Sequence, residues 1–117
     1  MGKIICLIVD DEPAIRTYLG VVLRRRGLIS LEAANAAGAL RVLEERGGRI
    51  DCLITDIEMP GDMDGIDLAY SVKNSFPALP VIVVSGYTDQ APPGFAFIRK
   101  PFMPAEMLQA VDQAMGL

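Results

Sequence analysis

The chain has 117 residues, of which 51% are hydrophobic and 22% are charged, as in one well-packed domain and unlike a disordered segment. Its net charge of -4 and its pI of about 4.7 argue against a nucleic-acid-binding surface, which needs a clustered basic face. Histidine is absent, which excludes histidine-based acid–base catalysis, histidine metal ligands and a phosphohistidine on this chain.

Strand and helix patterns alternate along the first half of the chain. Ile4–Val9 is a continuous apolar run, which predicts a strand buried on both faces. The tripeptide Asp11–Pro13 then predicts a helix start, with a capping acid, an acid in the first turn and an early proline, and Gly27 ends this helix. A weaker strand is predicted at Leu28–Glu32, and the alanine-rich segment Ala36–Arg46 predicts the second helix.

The same alternation continues in the second half. Ile50–Thr55 predicts another buried strand, and Met59–Gly65 is typical of a turn. The next elements, in chain order, are a helix, two strands and a helix, at Ile66–Phe76, Val81–Val84, Phe95–Arg99 and Pro104–Met115. Regular alternation of this kind predicts an α/β fold, with a parallel sheet covered by helices on both faces in a doubly wound, three-layer domain that spans residues 1–117.

The connector between the fourth and fifth predicted strands is too short for an ordinary helix. Only Thr88–Gly94 remain after the strands, and seven residues cannot form two loops and a stable helix. Pro92 and Pro93 lack backbone donors, and Pro92 also disfavours helical geometry at the residue before it. We therefore expect this helix to be absent, or to be a single turn at Thr88–Ala91.

The cysteines and the basic cluster suggest structural roles, and the absence of long apolar runs bears on the cellular location. The cysteines, Cys6 and Cys52, each lie in a predicted buried strand, where we expect small core residues in a reducing compartment. The basic cluster Arg24–Arg26 ends a predicted helix, where cations complement the helix dipole. No apolar run is long enough to span a bilayer and no signal peptide is recognisable, so we expect a cytoplasmic protein without membrane contact.

Polar side chains follow four of the predicted strands. Asp10 and Asp11 come after the first strand, Asp56 after the third, Ser85 after the fourth and Lys100 after the fifth. Because the carboxyl ends of parallel strands meet at one edge of a sheet, we expect these side chains to converge there. Three acids need a cationic partner, and Mg²⁺ suits a few carboxylates together with water and phosphate oxygens.

These residues lie in motifs that resemble the receiver domain of bacterial two-component response regulators over essentially the whole chain. The matching motifs are IVDDE, LITDIEMPGDMDG, VIVVSGY and FIRKPF, at Ile8–Glu12, Leu53–Gly65, Val81–Tyr87 and Phe97–Phe102. The resemblance implies a flavodoxin-like five-stranded parallel sheet with strand order 2-1-3-4-5. It also implies a signalling domain in a two-component system or phosphorelay, which assists only its own phosphorylation and dephosphorylation and is not otherwise an enzyme.

The resemblance assigns roles to the residues at the strand ends. Asp56 matches the phosphoacceptor, which takes a phosphoryl group from the phosphohistidine of a histidine kinase or histidine phosphotransfer protein. Asp10, Asp11, Asp56 and the backbone carbonyl of Glu58 match the ligands of Mg²⁺. Lys100 matches the cation that offsets the charge of the phosphoryl group as it transfers.

A second set of matches concerns the conformational switch. Ser85 matches the hydroxyl that turns to hydrogen-bond the phosphoryl group, and Phe97 matches the aromatic residue that moves inward with it. The resemblance also implies a cis peptide bond between Lys100 and Pro101. It allows a homodimer, and because the chain ends with the last helix we expect no output domain on it.

The chain departs from the family pattern in three places. Glu58 introduces an acid beside the reaction site, which we expect to influence the lifetime of the phosphoryl group. The loop after Asp56 is one residue longer near Asp62, which we interpret as a tolerated change in a surface turn. The short connector and the partly matching SGY motif are similar to the FATGUY receivers, and such connectors resemble those of receivers at the C-terminal ends of hybrid histidine kinases.

Three alternative functions stay open, each with a feature that argues against it. A Mg²⁺-dependent phosphoryl-processing enzyme on a similar fold needs an Asp-x-Asp pair, which Asp56–Glu58 imitates only partly. A flavodoxin needs a Ser/Thr/Gly-rich phosphate loop after the first strand, whereas DDEPA is acidic there. A degenerate receiver that works unphosphorylated would be expected to lack some of the site residues.

Overall fold

The structure is a computed structural model that describes residues 2–46, 48–87 and 92–117. Strands and helices alternate along the chain up to the fourth strand, as the sequence predicts. In chain order the elements are β1 (Ile5–Val9), α1 (Pro13–Arg25), β2 (Ile29–Ala33), α2 (Ala36–Arg46), β3 (Cys52–Asp56), α3 (Gly65–Ser75), β4 (Val81–Ser85), β5 (Ala96–Arg99) and α4 (Pro104–Met115).

The five strands form one sheet, in the order β2-β1-β3-β4-β5, and every neighbouring pair is parallel. This is the predicted flavodoxin-like architecture and strand order. The chain reverses its direction of progress across the sheet at β1, which lies between β2 and β3. In such folds the reversal leaves a crevice outside the carboxyl ends of the two central strands, here β1 and β3.

Alternate side chains of the central strands enter two separate cores, one on each face of the sheet. On one face, Leu7 and Leu53 pack with buried residues of α2 and α3. On the other face, Ile8 and Ile54 pack with buried residues of α1 and α4. Cys6 and Cys52 are buried, free thiols on this second face, so they are core residues as expected. Burial on both faces explains why β1 and β3 are continuous apolar runs in the sequence.

The start of α1 differs from the prediction. The N-cap residue is Glu12 and not Asp11, its side chain makes no capping hydrogen bond, and the first turn contains no acid. Pro13 occupies the first helical position, where its fixed φ angle suits the helix and its missing N–H costs no hydrogen bond. Because the helix begins at this proline, both aspartates lie before it and their side chains are available to the edge of the sheet.

The connector between β4 and β5 has no helix in its described part, which comprises residues 86, 87 and 92–95. The expectation of at most one turn at Thr88–Ala91 lies outside the described residues. The chain returns to the sheet at Phe95, whose ring contacts that of Tyr70 edge-on with the centroids 5.2 Å apart. The ammonium group of Lys73 lies 5.3 Å from the centroid of the Phe95 ring. These contacts hold the start of β5 against α3.

Each helix within the described ranges is too short or too polar to cross a bilayer.

Candidate functional site

The loop after β1 presents two aspartates at the carboxyl edge of the sheet. Asp10 is only 2% exposed, whereas Asp11 is exposed. The Oδ1 atom of Asp10 accepts a hydrogen bond of 2.9 Å from the backbone N–H of Glu12. The guanidinium group of Arg16 donates to the backbone carbonyl of Asp10 over 2.7 Å. These contacts fix the loop so that Asp10 faces inward from the end of β1.

Asp56 is the last residue of β3 and is 5% exposed. Its backbone lies against the first residue of α3, Gly65, whose N–H donates a hydrogen bond of 2.9 Å to the carbonyl of Ile57. A Cβ atom at Gly65 would collide with the carbonyl oxygen of Asp56 and lie 2.7 Å from the Cα of Ile57. The position therefore requires glycine, because only a residue without a side chain allows the helix to approach the strand end so closely.

Lys100 follows β5 and reaches across the edge of the sheet to both buried carboxylates. Its Nζ lies 3.2 Å from Oδ2 of Asp10 and 3.4 Å from Oδ2 of Asp56. The N–H of Lys100 donates to the carbonyl of Ser85 over 2.8 Å, and the bond between Lys100 and Pro101 is cis. Burial lowers the pKa of Lys100, but Asp56 and Asp10 more than offset this effect, so its pKa lies above the ordinary value.

Three carboxylates converge beside Lys100. Asp10, Asp11 and Asp56 can each offer an oxygen such that all three oxygens lie within 4.8 Å of one another. Burial raises the pKa of the Asp56 carboxyl to about 6; Lys100 opposes the rise, whereas Asp10 and Glu58 add to it. The two acids act in this direction because a negative charge nearby disfavours the ionised form of the Asp56 carboxyl.

One oxygen of Asp56 lacks a partner among the described residues. Its Oδ1 atom is buried and accepts no hydrogen bond from them, while Oδ2 is beside Lys100. A buried carboxylate oxygen without a donor is costly, and a hard divalent cation held by several carboxylates is one arrangement that removes this cost. The donor set at this edge, three carboxylates in one group, therefore fits Mg²⁺.

Ser85 and Phe97 lie on neighbouring strands, β4 and β5. Ser85 is fully buried at the end of β4, and its hydroxyl donates to the side-chain carboxylate of Glu58, with Oγ 2.9 Å from both carboxylate oxygens. Phe97 is half-buried, pairs with Val83 in the sheet and packs against the core beneath α2 and α3. Of the two expected switch residues, Ser85 therefore contacts the Glu58 carboxylate and Phe97 borders the core.

The contact between Glu58 and Ser85 is the feature of the site that we did not predict. The sequence led us to expect a metal-binding backbone carbonyl at Glu58 and an acid that influences the lifetime of the phosphoryl group, and both stay predictions. Its side chain reaches Ser85 because Ile57 continues the pairing of β3 with β4, donating to the carbonyl of Val84 over 2.9 Å. The register between two parallel strands decides this contact. Both strands are buried on both faces, so their continuous apolar sequences do not mark that register.

An apolar hollow of about 440 Å³ adjoins Lys100 on the other side of the site. It is lined by Ile15 and Tyr18 of α1 and by Pro101 and Phe102 after β5. The rings of Tyr18 and Phe102 are tilted, with centroids 6.3 Å apart, and Tyr18 is 40% exposed. A partly exposed aromatic pair beside a cluster of charged groups is suited to contact with a protein partner.

Known proteins with similar sequences and folds carry the same architecture. The chain is 34% identical to the sensor kinase CckA of Brucella abortus (strain 2308), in a match that covers 96% of this chain and 12% of that protein. It spans less than half of the length of curated response regulators that it matches. The solved receiver domain of the hybrid histidine kinase CckA is 37% identical, with a TM-score of 0.83, covering 95% of this chain and 98% of that one.

A second solved structure, a response regulator receiver domain protein from Clostridium thermocellum, is 28% identical with a TM-score of 0.87. That match covers 97% of this chain and 94% of the other. The sequence profile of the response regulator receiver domain matches residues 6–112, from β1 into α4. The sheet order, the carboxylates at its edge and these matches have one explanation: the chain belongs to the response regulator receiver domain family.

Proposed function

We propose that this receiver domain takes a phosphoryl group onto Asp56 from the phosphohistidine of a histidine kinase or histidine phosphotransfer protein. One observation carries the proposal. Asp56 is a buried carboxylate with one oxygen beside Lys100 and the other without a donor among the described residues, next to two further aspartates. This arrangement suits a nucleophile, because one carboxylate oxygen is not engaged in a structural hydrogen bond with the described residues and can attack a substrate.

The transfer step involves one bond formed and one bond broken. The free oxygen of Asp56 attacks the phosphorus atom, and a new O–P bond forms as the P–N bond to the partner's imidazole breaks. The electron pair of the broken bond stays with the imidazole nitrogen, so the partner leaves with an intact histidine. The reaction needs Asp56 ionised, and with a pKa of about 6 the carboxyl is largely ionised at neutral pH.

The receiver family uses Mg²⁺, and we propose that Asp10, Asp11, Asp56 and the backbone carbonyl of Glu58 hold the ion in this chain. When bound, Mg²⁺ neutralises charge on the phosphoryl oxygens and on the carboxylates around them. Lys100 supplies the second positive charge, because its ammonium group lies within 3.4 Å of Asp56 and keeps its proton at neutral pH. Asp10 orients that lysine through their ion pair of 3.2 Å.

We propose that Ser85 and Phe97 transmit the change from the site to the surface. A phosphoryl group on Asp56 would attract the Ser85 hydroxyl as a hydrogen-bond donor, because the two residues end adjacent strands. Movement of Ser85 would free space for the half-buried ring of Phe97, which lies on the next strand. The domain would thus shift between two populations, and the surface around β4 and β5 would report phosphorylation.

The hollow beside Lys100 is the surface that we propose for the partner. Ile15, Tyr18 and Phe102 form an apolar rim next to Lys100, whose ammonium group lies beside Asp56, so a helix or loop carrying phosphohistidine can dock there and present its phosphorus to Asp56. Partners of this kind lead us to propose a cytoplasmic location. A homodimer stays a prediction.

The alternative of a Mg²⁺-dependent phosphoryl-processing enzyme receives less support. It would need Glu58 as a second working carboxylate, whereas the Glu58 side chain is hydrogen-bonded to Ser85 and is outside the group of three carboxylates. We therefore propose a signalling domain that assists only its own phosphorylation and dephosphorylation.

Labelling by a small phosphodonor tests the assignment of Asp56. Wild-type protein is incubated with phosphoramidate and Mg²⁺ and its intact mass is measured beside those of Asp56→Asn and Asp62→Asn. Asp62 lies on an exposed turn, so its variant makes the same charge change away from the site. We expect one added phosphoryl group on the wild type and on Asp62→Asn, and none on Asp56→Asn. Equal labelling of all three proteins would contradict the assignment.

A further inference from the structure

The side-chain carboxylate of Glu58 accepts hydrogen bonds from donors at the end of β4. The Ser85 hydroxyl lies 2.9 Å from both of its carboxylate oxygens, and the backbone N–H of Gly86 donates to Oε1 over 3.3 Å. The N–H of Tyr87 in turn donates to Oγ of Ser85 over 3.1 Å. A carboxylate thus receives a hydroxyl and an amide from consecutive residues, and both groups point toward negative charge.

The contact joins a fully buried serine to a half-buried glutamate, and both follow residues that are held in the sheet. Ser85 is fully buried, and its carbonyl accepts from the N–H of Lys100 over 2.8 Å. Glu58 follows a residue that is itself paired with β4, because the N–H of Ile57 donates to Val84. Hydrogen bonds from neutral donors to an ionised acceptor are among the stronger ones in proteins. Glu58 therefore holds the Ser85 hydroxyl by a charge-assisted hydrogen bond.

A phosphoryl group on Asp56 would need the same hydroxyl. A serine hydroxyl carries one proton and can donate it fully to only one anion at a time. The phosphoryl oxygens and the Glu58 carboxylate are both anions at the same strand end, and Glu58 is close enough to Asp56 to raise its pKa. Phosphorylation must therefore break the existing hydrogen bond before Ser85 can make the new one.

We propose that the Glu58 carboxylate is a built-in competitor of the phosphoryl group for the Ser85 hydroxyl, and that it holds the domain in its resting state. This inference rests on the proposed function of Asp56, and it adds a positioning residue that acts through Ser85. Phosphorylation shifts the population only to the extent that the new hydrogen bond exceeds the one to Glu58. Replacing Glu58 removes the competitor and leaves its backbone carbonyl in place.

The test is a thermodynamic cycle that uses beryllium fluoride, which mimics a phosphoryl group on a carboxylate, in the presence of Mg²⁺. Its binding affinity is measured from the shifts of amide resonances in NMR spectra. Wild type, Glu58→Ala, Ser85→Ala and the double variant are compared, with Glu58→Gln as the neutral side chain of the same shape. We expect Glu58→Ala to bind about tenfold more tightly than wild type, as loss of one charge-assisted hydrogen bond implies, and Glu58→Gln to lie between them.

The Ser85→Ala background separates competition from simple charge repulsion. If Glu58 acts by holding the hydroxyl, its replacement has little effect once Ser85 is alanine. An equal gain in affinity in both backgrounds would overturn the proposal, because the effect would then be repulsion alone. Equal affinity of wild type and Glu58→Ala would also overturn it.

A measurement without phosphate or metal separates this proposal from the function of Asp56. In apo protein, Glu58→Ala should shift the amide resonance of Gly86 and speed the exchange of that amide, because the variant removes its acceptor. An unchanged Gly86 amide would refute the resting contact. If instead the amide responds as expected but neither beryllium fluoride nor phosphoramidate reacts with the site, the proposed function fails and with it the competition.

Discussion

Asp56 combines properties that seldom occur together in a carboxylate. It is buried, it lies near three other acids, and only Lys100 among its described neighbours offers it a positive charge. Burial and the nearby acids disfavour its ionised form, so the ionised carboxylate lowers the stability of the folded domain. A bound cation or a neutral side chain at this position would restore that stability. Strain of this kind is typical of a functional site rather than of a residue kept for stability.

A first prediction concerns stability and pH in metal-free buffer. The pKa of Asp56 is about 6 in the folded state, above its ordinary value of 3.8, so the carboxyl costs no stability while both states are protonated, below about pH 3. The cost develops as pH rises and is complete above about pH 6. We expect Asp56→Asn to raise the free energy of unfolding at pH 7 by roughly 1–2 kcal/mol, allowing for solvent screening.

Urea denaturation of both proteins at several pH values measures this difference. It should shrink as the pH falls from 7 and approach zero at about pH 3, below the ordinary pKa of 3.8, where the carboxyl is protonated in both states. Asp62→Asn, with its exposed side chain, should show no such pH dependence. A difference between wild type and Asp56→Asn that is constant from pH 4 to pH 8 would contradict the assigned origin of the pKa shift.

At the scale of single residues, the sequence predicted where the charged groups lie but not how they are bonded. The carboxyl ends of parallel strands must share an edge, so the positions of Asp10, Asp56 and Lys100 relative to their strands were sufficient to bring them together. The hydrogen bond from Ser85 to Glu58 depends on strand register and on side-chain direction beyond a strand end. The continuous apolar sequences of β3 and β4 mark neither of these.

At the scale of elements, prediction was most accurate where strong stop signals exist. The bounds of α2 and α4 agree with the sequence, whereas β2 is displaced by one residue from Leu28–Glu32 to Ile29–Ala33. This outer strand is only partly buried, so hydrophobicity marks its ends weakly. The acids before α1 were misread as a cap because local sequence cannot distinguish a capping carboxylate from one that serves a site.

A second prediction concerns the junction of β3 and α3. A methyl group at Gly65 would collide with the backbone of Asp56, and neither the strand nor the helix can move without disturbing its core. We expect Gly65→Ala to lower the free energy of unfolding by about 2 kcal/mol or more, and to slow phosphorylation because the nucleophile is displaced. Urea denaturation and labelling by phosphoramidate measure the two effects.

Gly38→Ala is the matched control for that substitution. Gly38 lies in α2, where a Cβ atom would meet only side-chain atoms, the nearest at 3.3 Å. Alanine there should be neutral or stabilise the domain by up to about 1 kcal/mol, because alanine favours a helix. If Gly65→Ala were as stable as Gly38→Ala, the close approach of helix and strand would not be needed for the fold.

At the scale of the whole molecule, the site lies between two different surfaces. On one side, the hollow beside Lys100 carries Tyr18 and Phe102. On the other side, the connector after β4 has no helix in its described part, and Phe95 packs on Tyr70 of α3. The surface proposed for the partner and the described part of the connector after β4 therefore lie on different sides of the site.

A third prediction follows from that separation. Tyr18→Ala should slow transfer from a phosphorylated histidine kinase about tenfold, since exposed aromatic residues dominate protein interfaces, but should not change labelling by phosphoramidate. Ile29→Ala shortens a comparably exposed apolar side chain at the start of β2, away from the site, and should leave the kinase reaction unchanged. Equal effects of Tyr18→Ala on both donors would show that Tyr18 supports the site itself and not the contact with the partner.

The central claim is that Asp56 accepts the phosphoryl group, and locating that group on the protein tests it most directly. The wild-type chain is incubated with Mg²⁺ and either a panel of autophosphorylated histidine kinases or phosphoramidate, then digested and analysed by mass spectrometry. We predict one phosphoryl group, on the peptide that contains Asp56, and none when Mg²⁺ is chelated. A phosphoryl group on any other residue, or no phosphorylation by any of these donors, would contradict the account.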